Sequence, residues 1–152
     1  MWGDPTWKTR LAYIRETPSL YDGLTVAGSL ALASRLCPTW DAALAAHLCD
    51  RLRLDPAKVV GTLSKGTRVK LGLVIGLARR ADVVMCDEPT AGVDPSAREE
   101  FHTAIHDLRR DHPALTVLLS SHIFEDIDAV SDAIVVLREG RVALRCTMRD
   151  LV

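Results

Sequence analysis

Short continuous apolar runs alternate with stretches in which apolar residues recur every three or four positions, and this alternation divides most of the chain into elements. Leu11–Ile14 reads as a short strand. Residues 26–36 and 41–52 carry helical spacing, with Pro38 as a breaker between them and Thr39 placed to cap the second helix. Residues 64–80 predict a further helix. The run 83–86 is apolar throughout and ends in two acids, as a buried strand does when it delivers carboxylates to a sheet edge. Pro95 takes a favoured first helical position, and 98–110 completes that helix with acids early and bases late, complementing its dipole. Thr116–Ser120 predicts a strand, 123–130 a short helix, and Ala133–Arg138 another strand, turned by Glu139-Gly140 into 141–145. The pattern is βαβαββ, which places the chain in the α/β class.

Composition narrows the picture. Of 152 residues, 48% are hydrophobic and 26% charged, enough for one soluble globular domain with a sizeable core. The net charge of −1 provides no basic stripe, so nucleic acid is not expected as a partner. No apolar run approaches the length of a spanning helix. Met1 is followed by Trp2, Gly3, Asp4 and Pro5, without a basic or apolar leader, so no secretory signal is read and the cytosol is the expected compartment. Cys37, Cys49, Cys86 and Cys146 lack metal-ligand spacing and read as reduced structural thiols.

The candidate chemistry lies in 63–95. Ser64 is a good N-cap followed by Gly66, so the helix after it presents free backbone N–H groups and a positive dipole end that suit a phosphate. Asp87 and Glu88 can divide the labour of phosphoryl transfer to water, Asp87 holding Mg²⁺ through its water shell and Glu88 polarising the attacking water. Lys8-Thr9 would end a G-x-x-x-x-G-K-[ST] phosphate loop if Trp2 and Trp7 were glycines. The tryptophans cannot close backbone N–H groups around phosphates, and Pro5 removes another donor, so no such loop is assigned. His102 and His106 are spaced i, i+4 but lack a third ligand, and read as a solvated helix face. His47 and His112 read the same way. His122 follows a strand at the edge where ligands gather.

The order of these pieces resembles the nucleotide-binding domain of ATP-binding cassette (ABC) transporters. In that family an L-S-G-G-Q signature precedes a Walker B strand ending in Asp-Glu-Pro. Here Leu63-Ser64-Lys65-Gly66-Thr67 stands in the signature's place, with Lys65 at its first Gly and Thr67 at its Gln, and Asp87-Glu88-Pro89 ends the strand. Ala91-Gly92-Val93-Asp94-Pro95 resembles the D-loop, and Ser120-Ser121-His122 the H-loop, whose His contacts the γ-phosphate. The segment 15–26 resembles the Q-loop region, where Glu16 replaces the usual Gln that reaches Mg²⁺ and the attacking water. Glu16 can still hold metal but adds negative charge beside Asp87 and Glu88. Lys65 must take the backbone angle of a Gly, while its charge can attract phosphate.

The resemblance implies a partial P-loop NTPase fold: a parallel sheet with helices on both faces plus a small helical subdomain, with core segments 1–23 and 81–152 and the helical subdomain at 24–80. It implies ATP and Mg²⁺ as cofactors, with catalytic roles for Glu88 and His122, metal contacts from Asp87 and Glu16, and nucleotide contacts from Glu16, Ser64, Lys65, Gly66 and Asp94. Its expected partners are a transmembrane permease subunit, docked between the helical insert and the core, and a second nucleotide-binding subunit, identical or different. The chain is then peripheral on the inner face of the cell membrane. The Lys65-Gly66 variant resembles exporter-type members.

The match relates to roughly the last two thirds of a family domain and reads as an N-terminal truncation. Without the phosphate loop, the 152 residues alone are expected neither to bind ATP tightly nor to hydrolyse it, and to be marginally stable. Three readings stay open: a catalytic subunit, a non-catalytic module that lends its signature to another subunit's site, and an inactive fragment.

Overall fold

The computed structural model describes residues 7–151. Trp2 and Pro5, on which part of the argument against a phosphate loop rests, lie outside the described residues; Trp7–Arg10 form one helical turn, α1. Leu11–Ile14 (β1), Val83–Asp87 (β2) and Thr116–Ser120 (β3) form a parallel sheet in the order β1-β2-β3. Asp87 is drawn into the end of β2, where it stands opposite Ser120. The pleat turns Ala12, Ile14, Val84 and Cys86 into the core, while Tyr13 and Leu118 on the other face are 51% and 57% exposed. The helices that bury the core cover the first face; a second covering layer is not among the described residues.

Among the described residues, four α-helices carry side-chain caps. Val26–Leu36 (α2) is capped by Thr25, Ala42–Arg51 (α3) by Asp41, Lys65–Leu77 (α4) by Ser64, and Pro95–Asp111 (α5) by Asp94. Thr39 does not cap α3. Its hydroxyl donates to the Arg79 carbonyl at 2.6 Å, and the shorter path belongs to Asp41, whose carboxylate accepts from the Leu44 N–H at 2.8 Å. The helix expected over 64–80 stops at Leu77, because Arg80 adopts the left-handed φ of 52° that turns the chain back toward β2. In α5 the first turn holds no acid; the capping Asp94 supplies the negative charge at that end.

One buried cluster runs through the molecule. Leu48 of α3 and Leu52, just after it, share this cluster with Leu71, Leu73, Val74 and Leu77 of α4 and with Phe101 and Ile105 of α5. The approach of α4 to β1 depends on Gly76: a Cβ there would lie 2.7 Å from Ile14 Cγ1. Beyond the sheet, Phe124–Val130 (α6) leads into Ala133–Arg138 (β4) and Arg141–Thr147 (β5), a separate antiparallel hairpin. Its turn places Glu139 and Gly140 at φ 51° and 74°, the left-handed pair that matches strand twist. Among the described residues, no helix is long and apolar enough to cross a membrane.

Candidate active site

The carboxyl ends of β2 and β3 gather the polar groups. Register sets Ser120 beside Asp87, and its hydroxyl donates to Asp87 Oδ1 at 2.9 Å, while the Tyr13 hydroxyl from β1 donates to Oδ2 at 2.7 Å. These bonds, Tyr13's first, hold the Asp87 carboxyl below the usual aspartate range, and Asp87 in turn pushes the Tyr13 phenol up. Asp87 is therefore ionised at neutral pH.

Glu88 leaves the strand abruptly. It adopts φ 44°, a left-handed conformation costly for a residue with a side chain, and is held there by its N–H, which meets both the Ser120 carbonyl and hydroxyl at 3.1 Å. The turn places its carboxylate on the next strand's exit, where His122 Nδ1 donates to Glu88 Oε2 at 2.8 Å. The His122 ring is otherwise open to solvent. Such a pair can orient a water on the solvent side of the carboxylate and accept its proton.

The start of α4 lies against the segment around Val93 and Asp94. Ser64 accepts from the Thr67 N–H at 3.2 Å, and a Cβ on Gly66 would come within 3.4 Å of Asp94 Oδ2 and 3.5 Å of Ala97 Cβ. Asp94 itself caps α5, and the Ala97 N–H holds its carboxyl below the usual range. Lys65 reaches across to Glu16, Nζ to Oε1 at 3.3 Å, with its ammonium passing Gly92 so closely that a Cβ there would be 3.1 Å away. Gly92 has φ 66°. The structure thus brings Asp87, Glu88 and His122 together and groups Lys65 with Glu16 and Gly66 with Asp94.

Among the described residues no three His, Cys, Asp or Glu side chains form a metal-holding group. The all-oxygen donor set at Asp87, an ionised carboxylate with a lone pair left on each oxygen, nevertheless fits Mg²⁺, which keeps most of its waters and takes one or two carboxylates.

A buried acid escaped the sequence reading. Asp126, in the first turn of α6, is fully buried, accepting from Thr90 Oγ1 and, at 3.1 Å, from Ser121 Oγ on one oxygen, and from His102 Nε2 at 2.8 Å on the other. Arg98 Nε lies 3.6 Å away. His102 is accordingly no part of a solvated face; its side chain is 15% exposed. His106 donates to the Ala129 carbonyl at 2.7 Å, so both histidines tie α5 to α6 rather than facing a metal. An acid near a helix start is ordinary in sequence, and nothing local marked this one as buried.

Comparison with known proteins shows the family and the fold. The family model described as ABC transporter matches residues 2–91. The probable branched-chain amino acid transport ATP-binding protein LivF of Archaeoglobus fulgidus is 35% identical over 150 residues, 95% of this chain and 62% of that protein. The arabinose import ATP-binding protein AraG 2 of Burkholderia cenocepacia is 39% identical over 103 residues, 66% of this chain and 20% of that protein. A solved structure titled as the ATP binding subunit of an ABC transporter superposes with a TM-score of 0.83 at 28% identity, covering 98% of this chain and 63% of its own. The chain therefore spans less than two thirds of the length of these relatives.

Proposed function

This chain belongs to the ABC transporter family of ATP-binding proteins, and from that premise we propose that it works as an ATP-binding, ATP-hydrolysing subunit that powers transport across a membrane. The observation that carries the reading is the Glu88–His122 contact of 2.8 Å beside an ionised Asp87, on the carboxyl edge of the parallel sheet. In this reading Glu88 accepts the proton of a water as its oxygen attacks the γ-phosphorus and the bond to ADP breaks, while His122 orients the carboxylate and the γ-phosphate. Asp87 would hold Mg²⁺ through its waters, with Glu16 at the edge of that shell; the metal supplies charge neutralisation on the phosphates. Ser64, Lys65, Gly66 and Asp94 form the face turned toward nucleotide.

The 152 residues contain no G-x-x-x-x-G-K-[ST] sequence, so the site needs a phosphate cradle from outside them, and the 152 residues by themselves should show no turnover. That same feature favours a second reading, in which the chain lends Ser64 and Gly66 to another subunit's ATP. Both readings include a second nucleotide-binding subunit and a membrane permease. A groove of about 280 Å³ lined by Leu20, Tyr21, Leu32 and Leu36 is the permease face we favour. Export is the direction we attach to Lys65-Gly66, against which the arabinose-import relative weighs.

The test is Glu88→Gln and Ser64→Arg introduced at the native locus, with the membrane complex captured from source cells and assayed for ATP turnover. Loss of about 10²-fold or more in Glu88→Gln supports the catalytic reading. Loss in Ser64→Arg with Glu88→Gln silent supports the donor reading, and two silent variants overturn both.

A further inference from the structure

A carboxylate taken fully out of water is costly unless both oxygens are satisfied, and the partners that satisfy it are then tied tightly to one another. Asp126 ties together three segments. Thr90 belongs to the turn two residues after Glu88, Ser121 is the residue before His122, and Arg98 and His102 sit on α5. Ser121 is doubly fixed, since its hydroxyl also accepts from the Ile123 N–H at 3.1 Å, so the backbone on both sides of His122 is anchored. The His122 ring is 73% exposed and touches Glu88, so packing does not hold it; its backbone does. Glu88, at its left-handed φ, likewise depends on the turn that follows it, where Val93 N–H meets the Thr90 carbonyl at 3.3 Å.

We propose that Asp126 is a positioning residue for the water-activating pair: by holding Thr90 and Ser121 on one carboxylate oxygen, it sets the spacing between Glu88 and His122 and anchors both to α5. The importance of that spacing for hydrolysis rests on the ATPase reading above; the spacing itself does not.

The experiment follows the His122 ring nitrogens by NMR in the nucleotide-free, isotope-labelled chain at one fixed pH, assigned with His122→Gln. Glu88→Ala defines the ring pattern of an unpaired His122. Asp126→Ala should shift the pattern by the full difference between wild type and Glu88→Ala, with the amide dispersion of β1 and β2 unchanged. Asp126→Asn should restore the native pattern, because its one amide oxygen can accept both hydroxyls while its NH₂ donates to His102 Nε2, the ring taking its Nδ1–H tautomer. Should Asp126→Ala fail to fold, the near-isosteric Thr90→Val/Ser121→Ala pair makes the same cut and should give the same shift. A folded Asp126→Ala or a folded Thr90→Val/Ser121→Ala chain that keeps the wild-type His122 pattern overturns the proposal. Because no nucleotide is present, that result is independent of whether the complex hydrolyses ATP.

Discussion

Lys65, at the start of α4, and Glu16, just after β1, pair with each other across the molecule, Nζ to Oε1 at 3.3 Å. The carboxylate at 16 faces a cation, and the ammonium at 65 gains a partner beside the tight Gly92 turn.

Both side chains of this pair are about half exposed, 45% and 51%, so solvent and salt screen it. A double-mutant cycle of Glu16→Gln and Lys65→Met in denaturant unfolding should give a coupling of about 0.2–1 kcal/mol that fades in high salt. A coupling well above that range and insensitive to salt would mean the pair is structural rather than a surface contact.

Gly76→Ala sets two effects against each other. Ala is intrinsically better than Gly in a helix by about 1 kcal/mol, but its Cβ would fall 2.7–2.8 Å from the buried Ile14 side chain. Overpacking of this kind costs about 1–3 kcal/mol, so the variant should be less stable, and Ile14→Val should restore part of the loss. Unchanged or increased stability in thermal unfolding would contradict the contact.

Tyr13→Phe should raise the Asp87 pKa toward the usual aspartate range, since the lost hydroxyl is the first cause of its depression. The sign for stability follows. A depressed folded-state pKa contributes stability above the ordinary aspartate value that is lost as pH falls through the folded value, so the variant should also show a shallower acid slope. Carboxyl ¹³C titration measures the first effect and unfolding against pH the second; no movement in either would dismiss the bond.

Cys86 is a buried strand residue whose thiol is pushed up to about 12 by loss of water. The neutral thiol is favoured in the folded chain, so its contribution to stability is complete below the unfolded cysteine value and declines as pH rises toward 12. In mildly alkaline buffer, alkylation should label Cys146, the least buried of the four cysteines, first, and Cys86 last until denaturant is added. Early labelling of Cys86 under native conditions would show that β2 opens locally.

Local pattern made much of this protein legible. The spans of β1, α2, β3 and β4 follow from apolar spacing alone, and Ser64 is recognisable as a cap because its side chain needs to reach only three residues along the chain. Asp87 and Glu88 could be placed at a strand end for the same reason. One misplaced feature had a competitor nearby: Thr39 and Asp41 could each cap α3, and spacing could not tell that Thr39 would be taken by Arg79.

What the sequence by itself determined, then, is the order of the elements, their periodicity and the chemistry at their ends, because these depend on neighbours within a turn or two. The tertiary structure decided which ends meet. Strand order and register brought Tyr13 to Asp87 and Ser120 to Glu88, the return of β3 put His122 on Glu88, and the packing of α5 against α6 turned Asp126 from an ordinary surface acid into a buried anchor. Each of those contacts joins segments separated by more than twenty residues, so none exists until the strands have paired, and that of Asp126 depends in addition on the burial created when α5 and α6 pack together.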